Sequence, residues 1–202
     1  MATLLPHRIL LVACALWTFP VAVPWSAPLR AQAPLSVDVR GGAALPVGSF
    51  GSPGRAAAEA GPSLSVHFAY QRTRGRAFYA GFSRHRFGCG DGACPPDGEM
   101  VSTAWGVGSR LSLRVGGAAP WLRLGVLFDR VMGDFGPPGE SVRRLSDLSL
   151  GGEVGVGVTL PLRGRLSTGP SVRYALLDTR FPEVGILRMR YLVTDLGLTL
   201  GF

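Results

Sequence analysis

From Tyr191 to Phe202 the chain alternates with a period of two. Leu192, Thr194, Leu196, Leu198, Leu200 and Phe202 occupy the even positions. Tyr191, Val193, Asp195, Gly197, Thr199 and Gly201 occupy the odd ones. Successive side chains of a strand point to opposite faces, so this pattern specifies a strand with one greasy face and one mostly small or polar face. The pattern recurs. Residues 35–44, 63–72, 77–87, 100–115, 120–132, 147–162, 166–177 and 188–202 read as eight strands. In the sixth, Leu148, Leu150, Val154, Val156, Val158 and Leu160 oppose Ser149, Gly151, Glu153, Gly155, Gly157 and Thr159. No segment carries a convincing helical period, and beyond residue 30 no apolar run approaches the roughly 20 residues of a spanning helix. With 47% hydrophobic and 17% charged residues, the chain has the opposite of a disordered composition.

The connections alternate in length. Thr73-Arg74-Gly75-Arg76, residues 116–119 and Arg163-Gly164-Arg165 are short; residues 46–62, 88–99, 133–146 and 178–187 are long. A transmembrane barrel has short turns at one rim and long loops at the other. A lipocalin-like soluble barrel binding an apolar ligand would turn the same alternation inside out. Volume favours the membrane reading. Eight strands enclose a lumen only just wide enough for side chains; Gly, Ser and Ala suit it, whereas Leu, Val, Phe and Trp suit lipid. The expected fold is all-β: an eight-stranded antiparallel up-and-down transmembrane β-barrel, following a cleaved signal peptide.

Residues 1–33 read as an export signal. His7 and Arg8 precede an apolar stretch from Ile9 to Val23, and a small-residue region leads to cleavage after Ala31. The division is therefore residues 1–31 as signal and 32–202 as barrel. A rival reading takes Leu11-Val12-Ala13-Cys14 as a lipidation motif on Cys14. Processing leaves Cys89 and Cys94, which in an exported chain read as one disulfide. A metal site would have to use Asp91, Asp97 and His85 instead.

Export signal, amphipathic strands, loop alternation and a terminal Phe202 together resemble the small bacterial outer-membrane barrels of the OmpA-transmembrane-domain and OmpX type. Gly41-Gly42-Ala43-Ala44-Leu45-Pro46-Val47-Gly48-Ser49-Phe50 is similar to their first strand and loop. The resemblance implies that Phe202, Leu200, Leu198 and Leu196 form the signal read by the outer-membrane assembly machinery. It specifies architecture well and activity poorly.

If the apolar faces look outward, parity places Asp38, Arg40, His67, Gln71, Tyr79, Ser83, His85, Arg110, Arg114, Arg123, Asp129, Glu153, Arg173 and Asp195 inside. Unpaired charges in a narrow lumen cost several kcal/mol each, so the near balance of five arginines against four acids in this set predicts an ion-pair network of Asp38, Arg40, Arg110, Arg123, Asp129, Glu153, Arg173 and Asp195. Arg173, between Glu153 and Asp195 on neighbouring strands, is its expected centre. The same residues could line a narrow porin-like pore. A second group faces outward or lies at the long-loop rim: Arg84, Arg86, Arg130, Arg143, Arg144, Arg180, Arg188 and Arg190. The planar guanidinium suits phosphate, which makes Arg84, Arg130, Arg188 and Arg190 candidate contacts for lipopolysaccharide. A charged, solvated rim is the alternative.

Some small outer-membrane barrels modify lipid A with a Ser and a His. Ser83 and His85 share a strand face, but no acid is placed to orient His85, and polar lumen packing explains them as well. No catalytic, metal or cofactor site is expected. The net charge of +8 rests on dispersed arginines without a basic stripe, which argues against nucleic acid. Expected partners are outer-membrane lipid and lipopolysaccharide, the assembly machinery, and a surface partner reached through the long loops. One of these loops presents Phe135 between glycines and prolines.

Overall fold

A computed structural model describes residues 34–51, 57–90, 95, 98–136, 140–182 and 184–202. The proposed signal, with Ala31 and Cys14, lies outside them. Ten strands follow in chain order: β1 (Leu35–Pro46), β2 (Ala58–Glu59), β3 (Gly61–Thr73), β4 (Arg76–Cys89), β5 (Glu99–Ser112), β6 (Ala119–Phe135), β7 (Val142–Leu145), β8 (Ser149–Arg163), β9 (Leu166–Phe181) and β10 (Gly185–Gly201). Eight of them are long, and these pair antiparallel with their neighbours in the chain. The ring closes where β1 pairs with β10, from Ser36 opposite Gly201 to Pro46 opposite Tyr191. Closure leaves no free edge, so the backbone groups of the wall are satisfied without water. The short strands β2 and β7 extend the wall above β4 and β6 at the long-loop rim.

The short connections are tight because glycine lets the backbone enter the left-handed region. Gly75 has φ 81° between β3 and β4, and Gly164 has φ 61° between β8 and β9. At the other rim the strands run further than the alternation suggests. β6 continues to Phe135 and β9 to Phe181.

Burial separates the two faces along every long strand. In β10, Met189, Tyr191, Val193 and Asp195 are buried, whereas Leu196, Leu198 and Leu200 are exposed. Leu64, Phe68, Trp105, Leu124, Val126, Phe128, Leu150, Val156, Val172 and Leu176 also face outward. Buried inside are Asp38, Arg40, His67, Arg123, Asp129, Glu153, Arg173 and Asp195. A soluble barrel would hide the apolar set. This one displays it as a continuous band, which only a lipid environment covers without cost.

Candidate functional site

Among the described residues, the buried charged side chains gather in the lumen. In its short-turn half, three acids and three arginines alternate in an unbroken chain. Arg40 donates from Nε to Asp38 Oδ2 at 2.7 Å and from Nη1 to Asp195 Oδ1 at 2.9 Å. Arg173 contacts Asp195 Oδ2 through Nη2 at 2.9 Å and lies 3.6 Å from Glu153 Oε2 through Nη1. Arg123 donates to Glu153 Oε1. The order is thus Asp38, Arg40, Asp195, Arg173, Glu153, Arg123, drawn from β1, β10, β9, β8 and β6.

Neutral donors complete the acids. Thr199 Oγ1 donates to Asp38 Oδ1 at 3.0 Å, Tyr79 Oη to Glu153 Oε1 at 2.7 Å, and Ser171 Oγ to Asp195 Oδ1. Buried ion pairs recover their desolvation cost only when such remaining positions are satisfied. Trp121 lies between two guanidiniums, with Arg40 5.2 Å and Arg110 6.0 Å from its ring centre.

These large side chains fit because one of the two residues facing each across the sheet is glycine. His67 pairs with Gly81, Tyr79 with Gly108, Trp121 with Gly157, Arg40 with Gly197, and Arg173 with Gly155. A Cβ at Gly197 would stand 2.7 Å from Arg40 Cζ, and one at Gly155 would stand 2.8 Å from Arg173 Cγ. The glycines of the polar faces therefore supply the floor space over which the lumen residues lie.

Not every interior residue expected from the sequence joins this chain. Arg110 lies in the lumen, directly opposite Arg123, yet has no carboxylate within ion-pair distance among the described residues. Asp129 belongs elsewhere. It lies six residues along β6 from Arg123, about 20 Å at strand rise, and accepts a hydrogen bond from Ser102 Oγ at 2.6 Å. Gln71 is only half-buried at the short-turn rim, and Arg114 is exposed because β5 ends at Ser112. Ser83 does not pair with His85. The His85 ring instead meets Ser63, its cross-strand partner, with 2.8 Å between Oγ and Nδ1.

The long-loop half of the lumen is different in kind. Phe50, Phe87, Met100, Val131, Phe135, Leu177, Phe181, Met189, Tyr191 and Val193 form one buried cluster. Phe87 packs edge-on against Phe50 at 5.0 Å and against Tyr191 at 5.2 Å; Phe135 meets Phe181 at 4.7 Å. Phe135, expected on an exposed loop, is buried here because β6 carries it past the membrane band and turns it inward. The sequence did contain a signal for this cluster. Val131 shares its parity with Arg123 and Asp129, and Tyr191 shares its parity with Asp195.

At the rim above, Arg143 donates from Nε to Asp134 Oδ1 at 3.0 Å. That hydrogen bond holds the Asp134 carboxyl below its usual range. On the outer surface Arg84, Thr103 and Arg130 stand in one cross-strand row on β4, β5 and β6. Arg188 lies 4.0 Å from Asp178, and both are exposed, as is Arg190. Phe202 is exposed, in line with Leu200, Leu198 and Leu196 on the outward face of β10. Cys89 is disulfide-bonded; Cys94 lies outside the described residues.

Neisserial surface protein A superposes on 85% of this chain and 99% of its own, with a TM-score of 0.65 at 17% identity. The chain has the fold of the small outer-membrane barrels. Ail, the attachment invasion locus protein of Yersinia pestis, matches 84% of this chain and 100% of its own, with a TM-score of 0.50 at 13% identity. At such identities the likeness is one of architecture. No family model and no curated protein matches the chain. The barrel's outward apolar band and inward charge agree with that architecture, and place it in the outer membrane.

Proposed function

We propose that this outer-membrane barrel is non-enzymatic and sealed, with a structural or surface-contact role. The observation that carries the reading is the double closure of its lumen. The alternating chain from Asp38 to Arg123 fills the short-turn half, and the aromatic cluster around Phe87 fills the long-loop half. A conducting pore needs a continuous wet path. The buried side chains of both halves stand in the way of such a path, and eight strands leave little free radius. Catalysis on lipid would need an acid to orient His85; its hydrogen-bond partner is a serine hydroxyl.

Surface contact falls to the long-loop rim and the outer arginines. Arg84 and Arg130 flank Thr103 on the outer face, an arrangement suited to the phosphates of lipopolysaccharide. Ail is by its name an attachment protein, and a comparable use of the loops is part of this proposal.

The test is conductance across a planar bilayer containing the purified, full-length barrel. Currents at the noise level, alongside a gel band whose mobility changes on boiling, support a sealed barrel. Discrete ohmic steps whose size changes in Arg173→Ala would replace the reading with a narrow pore. Loss of mobility shift would question closure itself.

A further inference from the structure

One small cavity in the short-turn half of the lumen has walls that the ion-pair chain leaves unsatisfied. Asp38, His67, Ala69, Tyr79, Arg110, Trp121 and Arg123 line it, and it has room for about one water-sized particle. Four buried nitrogen atoms of these residues have no hydrogen-bond partner among the described residues: Arg110 Nε, Arg123 Nε, Trp121 Nε1 and His67 Nδ1.

Three of the four can only donate, because a guanidinium and an indole N–H carry no acceptor. The fourth is fixed by its neighbour. His67 Nε2 stands 3.2 Å from Arg123 Nη2. A guanidinium donates, so Nε2 must accept, and the ring's proton sits on Nδ1. All four orphan groups are therefore N–H donors around one small space.

The charge points the same way. The walls carry two cations, Arg110 and Arg123, and one acid, Asp38. Both Asp38 oxygens are already engaged, one by Arg40 and one by Thr199. Glu153 is shared by Arg123, Arg173 and Tyr79. Arg110 and Arg123 face each other directly across β5 and β6, a like-charge pair that costs free energy unless something negative lies between or beside them. A water molecule could accept only two of these hydrogen bonds. A monatomic anion accepts from every side.

We propose that this cavity is a binding site for one small anion of halide type, held by Arg110, Arg123, Trp121 and His67. The ion completes the charge balance of the lumen by supplying the acceptor that Asp129, too far up the barrel, does not provide. Trp121 is then both the platform for two guanidiniums and a donor to the ion.

The experiment uses the full-length barrel in detergent, with chloride, bromide and gluconate salts at matched ionic strength. Thermal unfolding should shift upward with chloride or bromide in a saturable manner, relative to gluconate. Arg110→Gln should remove the difference between the salts. Because that variant could fail to fold, crystals of the unaltered barrel grown in bromide give an independent reading. An anomalous peak within hydrogen-bond distance of Trp121 Nε1 and the two guanidiniums supports the site. Superimposable unfolding curves in chloride and gluconate, or an ordered water in place of bromide, overturn it.

Discussion

The two halves of the lumen solve one problem with opposite chemistry. Toward the short turns, Asp38, Arg40, Asp195, Arg173, Glu153 and Arg123 fill the bore with charge. Toward the long loops, Phe50, Phe87, Phe135, Phe181, Met100 and Met189 fill it with hydrocarbon. The apolar half needs only volume, and tolerates exchange of one shape for another of similar size. The charged half needs each partner, because removing one leaves another buried and unpaired. The difference teaches that a lumen can be packed along its length while only one of its layers is specific.

Arg173→Ala should have the largest effect, because it deprives Glu153 and Asp195 together. Breaking a buried pair costs about 3–5 kcal/mol. Urea unfolding of the folded barrel, followed by Trp fluorescence, reads this as a lower midpoint; an unchanged midpoint would remove Arg173 from the centre of the network. Phe87→Leu, in the other half, should cost no more than about 1–2 kcal/mol, as a large-to-smaller apolar exchange does when neighbours partly collapse. A loss as great as that of Arg173→Ala would erase the contrast between the halves. Gly157→Ala tests the charged half from the wall side. The added methyl meets Trp121 and the backbone of β9, and overpacking of this kind costs about 1–3 kcal/mol; wild-type stability would show that the indole has room to retreat.

Asp129→Asn sharpens the comparison further. Asp129 is fully buried on the border of the apolar cluster and has no cation beside it. Its amide replacement should leave stability unchanged or raise it, whereas Asp195→Asn should lower it. The smallest effect belongs to the rim. Arg143 depresses the Asp134 carboxyl, so their pair stabilises the fold above the ordinary carboxylate range and loses that contribution as pH falls through the lowered value. The pair is exposed and screened by salt, so Asp134→Asn should change only a slight acid-side slope in a pH series.

The architecture was legible because it rests on a pattern of period two and on loop lengths, both local properties of the chain. All eight long strands were marked by alternation, including Leu196, Leu198 and Leu200 outside and Asp195 inside. Which interior residues meet was less legible. Parity reports a face but not a height, and Asp129 and Arg123 share a face while standing far apart on β6. The ends of strands escaped for a similar reason. Alternation fades among Gly133, Asp134 and Phe135, so the extension of β6 as far as Phe135 shows only in the strand itself and its pairing with β7. The role of the strand glycines needed the register. A glycine opposite an arginine and one opposite solvent look the same in one dimension.

The seam between β1 and β10 joins the first strand of the wall to the last. Arg40 reaches across it to Asp195, and Thr199 reaches back to Asp38. Apart from that seam, these groups would have only water to satisfy the bonds that now cross it. Rolling the sheet shut takes their water and gives them one another in the same movement. A seam closed one residue out of register would set the inward face of one strand against the outward face of the other, parting Arg40 from Asp195 and leaving that carboxylate to Arg173 and Ser171 alone.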